Sequence, residues 1–579
     1  MISMKKMLKK EISKTSFRRT VIFALVFGAL LVVAQIAGYQ LKLNEMTDPG
    51  VKGKALLILK GCLLSVLFLP VTYLLFRVLD GGSKNQSAQE SAPAAGKRSV
   101  LKSGFRPGTK TVRLFFVSWI IIWLCWLPAF LAYYPAIMSY DFHRQFGEAV
   151  KGYIWFYEYQ PLVHTFLIRI FYLLGLKLGS VATGMAVFAI VQSLILSSAI
   201  SAGISYIYRK SGLVPTVIWM LLFAFLPFNP VLAISMTKDI LFSAFFGFLV
   251  LIIIRMEEKM TPILCVLFVV IGILNILFRN NAAYALIFLV PVFMVGQKGM
   301  KKKLISAALA LVMVIAGIGC KNLIRETMHA IPGNEIEKYS VPIMQMVRVV
   351  KYQEENLTLE QEEILHRYID EKSWGDYYAP IADSAKSYAS AYKSEAWTED
   401  TARLIKDYLK IGKAYPNDYI DAFLCLTAGY WSFFDRTHAE MLEFGDDSDL
   451  GLLYTFNASV NDAYPEGIPS HSYLPSVEAW YSHVVNGNAY FNWPVISVLM
   501  KPAFWFWLFV YAFMGAVYKK SRKSMVVLTY PLFYLMTMFL GPCVNFRYMY
   551  PFIVILPVLV SLVMSENKCK QDETENEQK

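Results

Sequence analysis

Charged residues are scarce in this chain. They make up 17% of its 579 residues, whereas hydrophobic residues make up 56%. A soluble globular chain usually carries about a quarter charged residues. This shortage of charge excludes a mostly disordered chain and an ordinary soluble enzyme. The mean hydropathy of +0.44 instead predicts a protein that crosses a membrane many times.

Closely spaced cysteines are also lacking. The chain has seven cysteines, and no two of them form a CxxC pair. They are Cys62, Cys125, Cys265, Cys320, Cys425, Cys543 and Cys569. An odd number of widely separated cysteines indicates neither a zinc site nor a disulfide framework.

Acidic residues are concentrated in one stretch of the chain. Residues 321–490 hold 14 Lys or Arg against 27 Asp or Glu, although the whole chain carries a net charge of +13. Elsewhere the basic residues lie in short loops between apolar runs, which is typical of cytoplasmic loops in membrane proteins. A basic chain can also bind nucleic acid, but this distribution predicts no nucleic-acid partner.

Long apolar runs dominate the rest of the sequence, and most approach the roughly 20 residues that a membrane-spanning helix needs. They lie at about 20–41, 56–79, 114–134, 181–207, 213–236, 239–255, 261–278, 282–297, 302–320, 495–518, 525–541 and 548–565. The fold class predicted is an all-α integral membrane protein with about twelve transmembrane helices.

A further apolar run at 161–178 is shorter and carries Arg169 and Lys177. If it crossed the membrane, Lys301 to Lys303 would face outward and the acidic stretch inward, against the tendency of basic loops to stay in the cytoplasm. We therefore expect this run to form a helix that lies in, or re-enters, the outer interface.

The same charge rule predicts a cell-membrane protein whose N- and C-termini are both cytoplasmic. The acidic stretch is expected to be an extracytoplasmic, mostly helical domain, with helices near 359–371, 398–413 and 419–433. The predicted organisation is a two-helix membrane hairpin (1–79), a flexible cytoplasmic linker (80–113), a transmembrane core with outer loop 135–180 (114–320), the acidic domain (321–494), C-terminal transmembrane helices (495–565) and a disordered cytoplasmic tail (566–579).

Polar and charged residues cluster at the predicted outer ends of several helices. Such residues are costly near a bilayer and usually face a cavity, so each is a candidate for function. They are Asp141, His143, Gln160, Lys238, Asp239, Arg279, Asn280, Arg547 and Tyr548. A carboxylate can act as general base towards a hydroxyl, and Arg and Lys can hold a phosphate group.

Simpler interpretations of these residues stay open. Asp141 can be a solvated loop carboxylate, and Lys238 with Asp239 can be a helix cap beside a lysine that reaches the interface. Arg547 can anchor a helix end at the lipid head groups. A metal ion, Mg²⁺ or Mn²⁺, is possible, and Asp141 and His143 are then the candidate ligands.

Five short motifs carry a resemblance to a known superfamily. They are Tyr134-Pro-Ala-Ile-Met-Ser-Tyr-Asp141, Gln160-Pro161, Thr237-Lys-Asp239-Ile-Leu-Phe, Arg279-Asn-Asn281 and Arg547-Tyr-Met-Tyr-Pro551. Together they resemble GT-C superfamily glycosyltransferases over about residues 114–565. Within that superfamily the chain is similar to the uncharacterised bacterial family of unknown function numbered 6020. It departs from many GT-C enzymes in having His143 at a second acidic position and Gln160 where a His-Pro pair is usual.

The resemblance implies an enzyme that moves a sugar from a polyprenyl-phosphate donor to an extracytoplasmic glycan, lipid or protein. Asp141 would be the base or a metal ligand, and Lys238, Arg279 and Arg547 would contact the phosphate. Two alternatives are a transporter or flippase of lipid-linked sugars and a non-catalytic accessory protein of the cell envelope. Transporters usually place polar residues at the bilayer midplane, so polar groups gathered at the outer helix ends favour the enzyme.

Overall fold

The computed structural model describes most of the chain. The described residues are 2–44, 50–90, 109–138, 140–151, 156–333, 335–369, 382, 385–386, 395–434, 468, 470–485 and 489–566. Most of the predicted linker and the tail beyond 566 lie outside these residues. Within them the secondary structure is helical, with isolated β-bridges but no strand.

The N-terminal half forms fourteen helices in the described residues. They are α1 (Ile2–Asn44), α2 (Gly50–Ser65), α3 (Leu69–Glu90), α4 (Thr109–Ala132), α5 (Tyr140–Lys151), α6 (Leu162–Lys177), α7 (Val181–Ser211), α8 (Leu213–Phe225), α9 (Phe228–Ile234), α10 (Lys238–Glu258), α11 (Pro262–Phe278), α12 (Ala282–Ile287), α13 (Leu289–Gly296) and α14 (Met300–Thr327). Helices α2 and α3 are joined by one 3₁₀ turn and act as a single long helix.

The C-terminal half continues with helices of the acidic domain and returns to apolar helices. They are α15 (Ser340–Gln353), α16 (Leu359–Tyr368), α17 (Thr401–Ala414), α18 (Pro416–Trp431), α19 (Pro475–Val485), α20 (Pro494–Leu499), α21 (Pro502–Tyr518), α22 (Arg522–Phe539) and α23 (Phe546–Ser565). The three helices predicted in the acidic domain correspond to α16, α17 and α18.

Seven helices of the described chain are long and apolar enough to cross a membrane, or eight if α8 and α9, which meet at 59°, form one broken span. The seven are Phe17–Leu41, Lys52–Leu79, Lys110–Ala132, Val181–Ser211, Lys238–Glu258, Met300–Thr327 and Phe546–Ser565. These helices indicate a lipid bilayer environment, as an all-α membrane protein requires.

This count corrects the twelve spans predicted from hydropathy. The run at 282–297 forms α12 and α13, which together make one short apolar helix, Ala282–Gly296, and the run at 495–518 is broken near Lys501 into α20 and α21. Helix α11 has only 17 residues, and α22 carries Arg522 and Lys523 in its first turn. Hydropathy measures the apolar content of a run but does not show where its helix breaks.

The long helices define two ends of the bundle. Helix α10 runs from Lys238 at one end to Glu258 at the other, and its 21 residues span about 31 Å. Arg209, Lys210 and Lys523 all contact Glu258, so they mark what we call the basic end. We call the opposite end, where α10 begins, the site end.

The acidic domain lies at the site end and has its own apolar core. Met346, Leu365, Trp397, Ile411 and Leu426 are among the buried side chains of this second core. Its helix α18 also packs on the membrane helices.

Contacts with α1 and α2 tie α18 to the N-terminal hairpin. Gln35 of α1 donates a hydrogen bond to the carbonyl of Trp431, and Lys54 of α2 forms a 3.0 Å ion pair with Asp421. The domain and the N-terminal hairpin are therefore joined at the same end of the bundle.

Helix α6 is not among the candidate membrane spans of the described chain. That it lies in the outer interface and does not cross the membrane stays a prediction. It packs on the first turns of α7, where the rings of Phe171 and Phe188 stack at 5.0 Å. The backbone of Phe171 leaves no room for a side chain at Gly184. This contact keeps α6 beside the part of α7 that is farthest from the basic end.

Candidate functional site

The structure brings together predicted residues that are far apart in sequence. Lys238 and Asp239 begin α10, Arg547 begins α23, and Arg279 directly follows α11. Asp141 lies in the first turn of α5. Four separate helix ends thus meet at the site end of the bundle.

Local capping explains why these helices begin where they do. The Thr237 side chain accepts a hydrogen bond from the backbone of Asp239, and the Asn545 side chain accepts one from the backbone of Arg547 at 3.0 Å. Such caps satisfy backbone N–H groups that a helix start leaves without partners. The caps therefore fix the positions of the charged residues that follow.

Asp141 is surrounded by donors. Its Oδ2 atom lies 2.8 Å from Lys238 Nζ and 3.1 Å from Arg547 Nη2. Its Oδ1 atom accepts a hydrogen bond from Gln160 Nε2 at 3.2 Å, and Lys238 Nζ also donates to Gln160 Oε1. Asp141 is therefore a fully bonded carboxylate, and the interpretation as a solvated loop residue does not fit the structure.

Asp239 is the second carboxylate of the site and is fully buried. Its Oδ1 atom accepts from Arg279 Nη1, and its Oδ2 atom lies 3.6 Å from Arg547 Nε. Thr237 Oγ1 donates to Asp239 Oδ2 at 3.2 Å. Arg547 thus lies between the two carboxylates and links them.

Aromatic and amide side chains hold the arginines in place. Tyr548 lies beneath both guanidinium groups, 4.5 Å from Arg279 and 5.4 Å from Arg547, at distances typical of cation–π contacts. Asn281 Oδ1 accepts from Arg279 Nε at 3.3 Å, and Asn281 Nδ2 donates to Thr537. Asn280, which was predicted from the sequence, instead lines a groove beside the site.

The site carries more positive than negative charge, since three cations face two carboxylates. Burial acts to raise the pKa of the Asp141 carboxyl, but Arg547 and Lys238 outweigh it and hold the pKa below its usual range. Asp141 is therefore ionised at neutral pH. The surplus positive charge makes the site suited to an anion.

The donor set does not fit a divalent metal ion in this arrangement. Asp141 and His143 are two residues apart on α5, so their side chains point about 200° apart around the helix axis. Both oxygens of Asp141 already accept hydrogen bonds, and three cations surround it. Among the described residues, no group of three His, Cys, Asp or Glu side chains is placed to hold a metal.

His164 is a buried neighbour that was not among the predicted site residues. It lies in the first turn of α6, and its Nδ1 atom is 2.9 Å from Gln145 Oε1. Burial, followed by the nearby charge of Lys238, lowers the pKa of His164 to about 3, so its ring is neutral. Its position four residues after Gln160, near the start of a helix, was the signal that could have identified it.

A second residue that was not predicted, the carboxylate Glu148, supports the loop that carries Gln160. Glu148 Oε2 accepts from the backbone of Tyr157 at 3.4 Å, and Oε1 lies 3.5 Å from Arg144 Nε. Burial raises the pKa of Glu148 to about 7 despite these two partners. The Arg144 guanidinium in turn lies 4.1 Å from the centroid of the Tyr159 ring. The Tyr159 side chain therefore packs against Arg144 of the same protein.

A groove opens beside the site between α6, α11 and α14. Its walls are Glu158, Pro161, Leu162, Val163, Leu277, Asn280, Lys321 and Ile324. Glu158 forms ion pairs with Lys321 at 2.9 Å and Arg325 at 3.5 Å. The groove therefore has apolar walls and a charged rim next to Arg279 and Gln160.

The fold and this cluster define an all-α membrane protein with a buried ionic site at one end of its helices. The sequence profile described as "Family of unknown function (DUF6020)" matches residues 155–578. The chain belongs to this family, which confirms the similarity to the family numbered 6020. The matched region includes Gln160, Lys238, Arg279 and Arg547, but it begins after Asp141.

No curated protein and no solved structure matched the chain. The resemblance to GT-C enzymes therefore stays a prediction.

Proposed function

We propose that this protein is a GT-C-type membrane glycosyltransferase that moves a sugar from a polyprenyl-phosphate donor to an extracytoplasmic acceptor. The observation that carries this proposal is the convergence of Lys238, Arg279 and Arg547 around Asp141 and Asp239. These cations lie at one end of a helix whose length of about 31 Å matches the hydrocarbon thickness of a bilayer. A phosphate at the head-group level of a lipid would meet them there.

The charge of the site suits the leaving group of this reaction. A polyprenyl-phosphate sugar is a phosphodiester with one negative charge, and its cleavage leaves a phosphomonoester with a second. Arg279, Arg547 and Lys238 would stabilise the charge that develops as the bond from the sugar to the phosphate oxygen breaks. Arginine suits this role because its guanidinium can bind two phosphate oxygens at once.

Asp141 is proposed as the general base. The acceptor hydroxyl would attack the anomeric carbon of the sugar and pass its proton to an oxygen of Asp141. In the free protein, Lys238 and Arg547 weaken this base by contacting Oδ2. A donor phosphate that attracts the same two cations would release Asp141 and strengthen it as a base.

The groove between α6, α11 and α14 is shallow, and we propose that only the phosphate-proximal part of the donor's lipid chain lies against it. Leu162, Val163, Leu277 and Ile324 supply its apolar surface, and Asn280, which directly follows Arg279, also lines it. In this proposal that part of the polyprenyl chain lies against the groove and the phosphate reaches Arg279.

The proposed orientation places the basic end in the cytoplasm, with both termini, and the site end outside the cell membrane. The acidic domain would then lie over the site and help to select a glycan, lipid or protein acceptor. The sugar donor would be used in the outer leaflet.

Helix α14 offers a matched test of this orientation, because Lys301 and Glu326 are exposed near its two ends. In a variant without the native cysteines, Glu326→Cys in intact cells should react with a membrane-impermeant thiol reagent, whereas Lys301→Cys should react only after the cells are opened. Reaction of Lys301→Cys alone in intact cells would reverse the proposed orientation and place the site in the cytoplasm.

Two cysteine variants of α14 also test the proposed donor site. Ile324→Cys lies in the groove, and Glu326→Cys lies two residues further along the same helix outside it. Polyprenyl phosphate added to isolated membranes should slow labelling of Ile324→Cys severalfold and leave Glu326→Cys unchanged. Equal protection of both cysteines, or of neither, would contradict lipid binding in the groove.

A further inference from the structure

A second charged cluster lies at the basic end, about 31 Å along α10 from the proposed active site. Glu258 Oε1 lies 3.1 Å from Lys210 and 3.4 Å from Lys523. Its Oε2 atom lies 3.2 Å from Arg209 and 3.4 Å from Arg255. Four cations from three helices therefore meet at one carboxylate, and we call these five residues the Glu258 cluster.

The Glu258 cluster carries surplus positive charge. Glu566 is a further carboxylate at the cluster and lies 3.3 Å from Lys523. In the ion pairs of the described residues, the four cations thus meet two carboxylates, which leaves a surplus of two positive charges. Their side chains are between 21% and 35% exposed, so the cluster is open to a ligand from outside the chain.

Helix ends explain only part of this arrangement. Arg209, Lys210 and Arg255 lie in the last turns of α7 and α10, where cations are favoured by the helix dipole. Lys523 and Arg522 lie in the first turn of α22, where the dipole disfavours a cation. A helix start is instead suited to an anion, because its first backbone N–H groups point outward.

A buried donor beside the cluster is a second, independent sign of an outside ligand. The Tyr206 hydroxyl is buried and has no hydrogen-bond partner among the described residues. The ring of Tyr206 lies 5.5 Å from the Arg209 guanidinium. Glu258 is close enough to interact electrostatically with the Tyr206 hydroxyl. Buried hydroxyls are normally bonded, so this one is available to a ligand or to its bound water.

We propose that the Glu258 cluster binds the phosphate group of an anionic phospholipid in the leaflet at the basic end. The length of α10 places the cluster at head-group depth when its other end lies at the opposite surface. A phosphodiester head group between Arg209, Lys210 and Lys523 would offset one of the two surplus charges, and its acyl chains would lie along the exposed apolar side chains of α8. Free phosphate shares this chemistry but lacks the chains.

The test measures lipid binding by the purified full-length chain with native mass spectrometry. The probes are phosphatidylglycerol and phosphatidylcholine with identical acyl chains, each with and without inorganic phosphate. Lys210→Gln/Lys523→Gln should weaken phosphatidylglycerol binding on the order of 10- to 30-fold, at about 1 kcal/mol for each cation removed. The matched control, Lys298→Gln/Lys301→Gln, removes two exposed charges at the same end of the bundle and should have less than a twofold effect.

Glu258→Gln distinguishes a ligand site from a purely structural network. It removes the internal anion, so a ligand site should bind phosphatidylglycerol more tightly, by severalfold. Weaker binding in Glu258→Gln, or an equal loss in the two double variants, would overturn the proposal. Complete competition by inorganic phosphate at the concentration of the lipid would show that the cluster takes a free anion instead.

Discussion

Asp141→Asn is expected to reduce sugar transfer roughly 10²- to 10⁴-fold, the usual range for the loss of general acid–base assistance. The substitution keeps the shape of the side chain and its hydrogen bond with Gln160, but it removes the charged oxygen that contacts Lys238 and Arg547. The measurement is transfer from a synthetic polyprenyl-phosphate sugar by purified protein in detergent.

The matched control for Asp141→Asn is Glu326→Gln, which neutralises an exposed carboxylate at the same end of the bundle. This variant should transfer sugar at the wild-type rate. Both variants should elute as monodisperse protein, so that a loss of activity is not a loss of folding. Near-normal transfer by Asp141→Asn would refute the role of this residue as base and shift attention to Asp239.

Asp239→Asn should have the largest effect on stability, lowering the free energy of unfolding by about 3–5 kcal/mol. Asp239 is fully buried and is the acceptor for Arg279 and a close neighbour of Arg547. With a neutral amide in its place, the two guanidinium groups would lose a counter-ion and repel each other. Thermal unfolding in detergent, followed by intrinsic fluorescence, would measure the change.

Glu335→Gln is the comparison for Asp239→Asn, because Glu335 forms an exposed ion pair with Lys338. Exposed pairs contribute at most about 1 kcal/mol, so this variant should unfold close to the wild type. If Asp239→Asn also unfolds like the wild type, the buried carboxylate is not what holds the two arginines together.

The sequence predicted much of this arrangement because charge near a bilayer is rare and therefore informative. Asp141, Gln160, Lys238, Arg279 and Arg547 were selected from their positions at predicted helix ends, and the structure brings them into contact. The all-α membrane fold follows from the same apolar runs. The helices of the acidic domain were visible in the spacing of their apolar residues.

Other features depend on contacts that no linear pattern shows. Asn281, rather than Asn280, faces Arg279 because the backbone turns after α11. His164 and Glu148 belong to a buried support that forms only when α5 and α6 pack together. The twelve spans predicted from hydropathy exceed the seven or eight helices of the described chain that are long and apolar enough to cross, because helices such as Ala282–Gly296 and Pro502–Tyr518 are short.

The most direct test of the proposed function is turnover by the purified wild-type chain. Incubation with a synthetic polyprenyl-phosphate sugar and a mixture of extracytoplasmic acceptors should yield free polyprenyl phosphate and an acceptor heavier by one sugar, both detected by mass spectrometry. Asp141→Asn should form both products roughly 10²- to 10⁴-fold more slowly. Movement of intact donor across proteoliposome membranes without cleavage would contradict the account and identify a transporter of lipid-linked sugars instead.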